Sequence, residues 1–126
     1  MGRATVHVAV VDDEESMRKA LLRLFRLADY RAEAFESAAD FLASLSERRP
    51  DCIVLDLQMS EMTGLELLEH MSRMTNPPPV IVISADDAQR TQDECRTLGT
   101  KHYLRKPIDC ATLLASVRDV LGVAPD

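Results

Sequence analysis

Three acids, a hydroxyl and an ammonium stand where apolar runs of this chain stop. Val6-His7-Val8-Ala9-Val10-Val11 ends at Asp12-Asp13, and Cys52-Ile53-Val54-Leu55 ends at Asp56. Val80-Ile81-Val82-Ile83 ends at Ser84, and Lys101-His102-Tyr103-Leu104-Arg105 runs into Lys106. A carboxylate at the end of a buried run is poorly placed for packing, because a buried charge is costly unless partners share it. Three acids brought together repel one another unless a cation lies among them. Oxygen ligands with no His or Cys nearby favour a hard ion such as Mg²⁺. With that ion in place, Asp56 could attack a phosphoryl group and carry it as an acyl phosphate. The ion and Lys106 would neutralise the equatorial oxygens of the transferring group, and Ser84 Oγ could donate to the same oxygens. Each residue taken singly has a plainer reading. Asp12 and Asp13 can cap a helix through its dipole, Ser84 can serve a turn, and Lys106 can be a solvated loop lysine. Complementary chemistry at all four strand ends outweighs those separate readings.

The elements that would bring these residues together follow from periodicity. Short apolar runs read as strands buried on both faces, as in a parallel sheet. Met17, Ala20, Leu21, Leu24 and Ala28 recur at helical spacing among Arg18, Lys19, Arg23 and Arg26, the pattern of an amphipathic helix. Arg31-Ala32-Glu33-Ala34-Phe35 alternates polar with apolar and suits an edge strand. Ser37 can cap a second helix whose stripe is Phe41, Leu42 and Leu45. Thr63 and Glu66 have the spacing of a capping box, ahead of Leu65, Leu67, Leu68, Met71 and Met74. Pro77-Pro78-Pro79 then breaks the helix. Asp86 to Leu98 reads as a fourth helix, very polar, anchored by Ala88, Cys95 and Leu98 and stopped at Gly99. A fifth begins near Asp109 and carries Leu113, Leu114, Val117, Val120 and Leu121.

Five alternations of strand and helix predict a single domain over residues 1–126 with its core over 6–121. Its class is α/β: a flavodoxin-like (βα)5 three-layer sandwich on a parallel five-stranded sheet. The polar second and fifth strands belong at the edges and the apolar three inside, which is the order 2-1-3-4-5. In that order the first and third strands flank the switch point. Asp12, Asp13 and Asp56 then share one rim with Ser84 and Lys106.

Composition narrows the function. The chain has 126 residues, 46% hydrophobic and 29% charged, enough for one globular domain with a real core. A net charge of −6 without any basic block argues against direct contact with nucleic acid or an anionic membrane. The N-terminus lacks the apolar region of a signal peptide, and no run approaches the ~18 residues of a membrane span. Cys52, Cys95 and Cys110 are odd in number and lack CxxC spacing, so they read as reduced thiols of a cytoplasmic protein.

Asp12-Asp13, Asp56, Met59-x-x-Met62-x-Gly64, Ser84-Ala85, and Tyr103 three residues before Lys106-Pro107 form a specific set. With it the chain resembles a receiver domain of two-component response regulators over essentially Val6 to Leu121. Val10 to Glu14, Ser37 to Leu42 and Pro50-Asp51 are most similar to the FixJ/LuxR-type branch. The resemblance implies that Asp56 accepts phosphate from a sensor histidine kinase. It implies Mg²⁺ held directly by Asp13, through water by Asp12, and by Asp56 and the main-chain carbonyl of Gln58. Lys106 would pair with the phosphate, Ser84 would move to bond it, and Tyr103 would swing into the space vacated.

The family also implies a regulatory domain that assists only its own phosphorylation and autodephosphorylation. Its partner face would lie around the fourth helix and fifth strand, serving a homodimer or an output domain that controls transcription or docking. Some residues depart from the pattern. Ser60 replaces the usual proline and implies a less rigid loop, and Asp86 to Arg90 is more acidic and polar than usual. Gln58 and Asp86 sit where the family tunes phosphoryl lifetime. The chain ends shortly after the last helix, as either a stand-alone receiver or a piece lacking its output domain.

Rival readings meet obstacles at the same residues. A flavodoxin-type cofactor binder needs a Gly/Ser/Thr-rich phosphate loop, and Asp12-Asp13-Glu14-Glu15 would repel phosphate there. The GxGxxG of a dinucleotide-binding domain is absent. A haloacid-dehalogenase-type phosphatase would require a second Asp where Gln58 stands. The remaining alternative is a degenerate receiver that acts as an interaction module without phosphorylation; the intact acids, Ser84 and Lys106 argue against it.

Overall fold

The computed structural model of the protein describes residues 5–59 and 61–122. Strands and helices alternate strictly. They are β1 (His7–Val11), α1 (Glu15–Leu27), β2 (Arg31–Phe35), α2 (Ala38–Ser44), β3 (Cys52–Asp56), α3 (Gly64–Ser72), β4 (Val80–Ser84), α4 (Gln89–Thr97), β5 (His102–Arg105) and α5 (Cys110–Leu121). The sheet order is β2-β1-β3-β4-β5 and every pairing is parallel, the flavodoxin-like arrangement expected. Burial explains the order. All of β3 and β4 is buried, whereas β2 and β5 are only partly covered and lie at the edges.

Successive side chains of the central strands supply two cores. Val8, Val10, Cys52, Val54, Ile81 and Ile83 meet Leu21 and Phe25 of α1 and Leu113 and Val117 of α5. Ala9, Val11, Ile53, Leu55 and Val82 meet Phe41 of α2, Leu67, Leu68 and Met71 of α3, and Cys95 of α4. The starts of α2 and α5 are closed locally: Ser37 Oγ accepts from Asp40 N–H, and Asp109 accepts from Thr112 N–H. Thr63 and Glu66 form the full capping box.

Several expectations shift. Ala20 lies on the exposed side of α1, and Phe25, fully buried, fills the position facing the sheet. Phe25 lies four residues after Leu21, one helical turn along the same face. Helix α4 begins at Gln89 rather than Asp86, and Ala88 is an exposed N-cap instead of an anchor. Asp86 explains this, because its carboxylate accepts from Ala88 N–H at 2.9 Å and bends the chain into a turn before the helix. Met74 packs just beyond α3, and β5 starts at His102. The loop expectation at Ser60 and the chain-end expectations at 1–4 and 123–126 fall outside the described residues. Cys52, Cys95 and Cys110 are free. Burial pushes the Cys52 thiol up to about 12 and that of Cys95 to about 11, so neither is a thiolate near neutrality. Among the described residues, no helix is long and apolar enough to cross a membrane.

Candidate functional site

Strand register builds the rim. Val11 lies opposite Leu55, so Asp12 and Asp56 leave the sheet side by side. Asp56 lies opposite Ile83, and Ser84 opposite Arg105, which brings the next two groups alongside. Lys106 N–H donates to Ser84 carbonyl at 2.9 Å and fixes the start of the lysine loop. The Lys106 ammonium reaches Asp56 Oδ2 at 3.4 Å. Asp12, Asp13 and Asp56 each present an oxygen within 4.8 Å of the others. The five residues singled out by chemistry are therefore neighbours.

Their environments differ. Asp56 is 2% exposed, and its Oδ1 accepts from Gln58 N–H at 3.1 Å. Asp12 is fully buried, and its Oδ1 accepts from Glu14 N–H at 2.9 Å. Its Oδ2 is buried without a hydrogen-bond partner. Burial, with added repulsion from Asp56 and Asp13, raises the Asp12 carboxyl from the ordinary 3.8 to about 6. A buried acid with an orphaned oxygen, beside two other carboxylates, is short of positive charge. The donor set is all oxygen, which suits a hard divalent cation such as Mg²⁺. Asp13 is exposed at the edge of an open cleft of about 470 Å³ bordered by Glu36, Asp40, Met59, Glu61 and Met62. The acid cluster is thus reachable from solvent.

The loop after β3 is held by backbone contacts. Leu57 N–H donates to Ile83 carbonyl, and Gly64 N–H to Leu57 carbonyl. A Cβ at Gly64 would lie 2.6 Å from Leu57 Cα and 2.8 Å from Asp56 carbonyl oxygen. Glycine is needed there because the start of α3 rests on the backbone of Asp56 and Leu57. Gln58 is exposed, and its main-chain N–H is the donor to Asp56 Oδ1.

Ser84 is fully buried and its Oγ accepts from Asp86 N–H at 3.0 Å. Tyr103 is half-buried, and its hydroxyl donates to Asp86 carbonyl at 2.5 Å. Burial pushes the Tyr103 phenol up, with hydrogen bonding to Ser84 partly offsetting it. The two expected switch residues therefore meet at one loop. Sequence reasoning missed Arg18, assigned above to the polar face of α1. Its Nη1 donates to Asp12 carbonyl at 2.9 Å, and its Nη2 lies 4.0 Å from Glu36. Nothing in the spacing distinguishes it from the other basic residues of that helix.

Five parallel strands in this order, with an acid pair, a central acid, a hydroxyl and a lysine on one rim, define a class of signalling domain. Residues 8–118 match the family described as the response regulator receiver domain, and the chain belongs to it. Response regulator MprA of Mycobacterium sp. (strain KMS) is 30% identical over 122 residues, covering 96% of this chain and 53% of its own. Transcriptional regulatory protein PrrA of Mycobacterium tuberculosis is 33% identical over 120 residues, covering 95% and 52%. Among solved structures, the response regulator receiver protein from Burkholderia phymatum is 35% identical at a TM-score of 0.84, covering 95% of this chain and 98% of that one. The chain spans about half the length of the curated relatives it matches. These relatives lend no support to the narrower likeness to the FixJ/LuxR-type branch.

Proposed function

We propose that Asp56 is the phosphoacceptor of a two-component signalling system and that phosphorylation there is the signal. The observation that carries this reading is the approach of the Lys106 ammonium to Asp56 at 3.4 Å on a rim where Asp12 and Asp13 converge. A carboxylate oxygen of Asp56 attacks the phosphorus of a phosphohistidine on the kinase. The new O–P bond forms as the N–P bond breaks, and the departing imidazole nitrogen keeps that bond's electron pair and takes a proton from solvent. Lys106 pairs with the phosphoryl oxygens, and Ser84 Oγ turns from the Asp86 amide to donate to one of them. Asp12, Asp13, Asp56 and the Gln58 carbonyl hold Mg²⁺, whose positive charge offsets the crowded carboxylates and the phosphoryl group when it is bound. Tyr103 and the face around α4 and β5 carry the change outward to a second copy of the chain or to an output domain. The location in this reading is cytoplasmic, with the domain taking the whole of 1–126.

The test is incubation of the chain with acetyl phosphate and Mg²⁺, followed by intact mass. Wild type gains one phosphoryl group and Asp56→Asn gains none. An unmodified wild type that still binds a partner would favour the alternative of an interaction module without phosphorylation.

A further inference from the structure

Arg18 is the basic side chain of α1 that is drawn in toward the rim. It is 18% exposed, against 76% for Lys19, and Arg23 and Arg26 are exposed too. Its hydrogen bond does not go to an acid. Nη1 donates to the neutral carbonyl of Asp12 at 2.9 Å, whereas Nη2 stays 4.0 Å from the Glu36 carboxylate, beyond hydrogen-bond reach. The carbonyl it holds belongs to the peptide that joins Asp12 to Asp13, and a peptide unit is planar. Fixing that oxygen therefore fixes the direction in which Asp13 leaves the chain. Asp12 N–H donates to the Phe35 carbonyl at 3.1 Å, and Asp12 Oδ1 accepts from Glu14 N–H at 2.9 Å. Glu14, the N-cap of α1, makes no side-chain cap. Arg18 instead ties the first turn of the helix back to the acid pair.

We propose that Arg18 is a positioning residue for the divalent cation, clamping the Asp12-Asp13 peptide so that both carboxylates converge with Asp56. The inference deepens the receiver reading and rests on it for the identity of the cation. Two effects of Arg18 on that cation oppose each other. As a positive charge near the rim it repels a second cation, and Glu36, itself 71% exposed, offsets this only in part. As a clamp it keeps oxygens of Asp12, Asp13 and Asp56 within 4.8 Å of one another before the cation arrives. Less ordering is then left for binding to supply. Repulsion across an open, solvated cleft is screened, whereas a direct charge-assisted hydrogen bond to a part-buried carbonyl is not. The clamp outweighs the repulsion.

The two effects predict opposite signs, and one substitution separates them. Mg²⁺ is titrated into the unphosphorylated chain and followed by amide NMR shifts in wild type, Arg18→Met and Arg18→Lys, at a temperature where each is folded. Arg18→Met is expected to bind Mg²⁺ about tenfold more weakly, the scale on which partners that orient metal ligands act. Arg18→Lys keeps the charge but loses the planar fork, so it recovers only part of the affinity. Unchanged or tighter binding in Arg18→Met overturns the proposal, for then Arg18 acts as a charge alone. Hydrogen exchange of the metal-free chain is the second readout. The Glu14 N–H, which donates to Asp12 Oδ1, should speed up in Arg18→Met by a larger factor than the amides of β3 do. An increase at Glu14 no larger than that in β3 marks general loosening and overturns the proposal. Should Arg18→Met not fold, Arg18→Lys decides by the same two readouts. Weaker Mg²⁺ binding with faster Glu14 exchange then supports the clamp, and wild-type values in either overturn it. A wild type without any Mg²⁺ response counts against the receiver reading and overturns the inference with it. A wild type that binds Mg²⁺, with Arg18→Met its equal, overturns the inference alone.

Discussion

Asp12 holds one carboxylate oxygen with a partner and one without. Its folded-state value of about 6 lies above the ordinary 3.8. Between these values the folded chain binds more protons than the unfolded one. The contribution to stability is full below the unfolded value and is lost as pH rises through about 6. Metal-free protein should therefore gain stability from Asp12 as pH falls from about 7.5 toward about 5. Mg²⁺ should raise the melting temperature more at the higher pH, where Asp12 is ionised; thermal unfolding with and without Mg²⁺ at both pH values checks it. A Mg²⁺ effect that grows on acidification would contradict it. Gln58 meets Asp56 through its main-chain N–H, and its side chain is exposed. Gln58→Ala should change the phosphoryl lifetime on Asp56 while leaving Mg²⁺ affinity nearly unchanged, measured by intact mass over time and by calorimetry. Equal lifetimes would remove a role for that side chain.

The loop from β3 into α3 shows how an element positions chemistry. Gly64 lets the first turn of α3 press on Asp56 and Leu57, with no space for a Cβ. Gly64→Ala should push that backbone apart, costing about 1–3 kcal/mol in denaturant unfolding and slowing phosphorylation by acetyl phosphate. Wild-type stability and rate in the variant would show that the loop can yield. The capping box at Thr63 and Glu66 was legible from spacing, because its hydrogen bonds are local. So was the end of the fourth helix at Gly99, whose φ of +100° suits glycine. The start of that helix was not legible. A run as polar as Asp86 to Arg90 lacks the apolar positions that set a helix boundary, and an Asp competes for the backbone with its own side chain.

Sheet order and the two cores were legible because strand polarity differs so sharply between the centre and the edges. Convergence of the acids, Ser84 and Lys106 followed from that order, since each residue closes its strand at the same end. Contacts that depend on tertiary packing were not legible, such as Arg18 reaching Asp12 carbonyl. Phe25 was also missed, although it packs beside Leu21 and fills the α1 side of the sheet without exposure. Phe25→Ala should cost about 3–5 kcal/mol by chemical denaturation. A loss below about 1 kcal/mol would mean that the α1 layer repacks freely.

The chemistry at Asp56 can be read covalently. Wild-type chain is incubated with acetyl phosphate, with Mg²⁺ or with a chelator, reduced with borohydride and mapped by peptide mass spectrometry. Reduction of an acyl phosphate on aspartate leaves homoserine at that position. Homoserine is expected at residue 56 with Mg²⁺, and unmodified Asp56 with the chelator. Modification at another residue, or equal modification of Asp56 in both conditions, would contradict it.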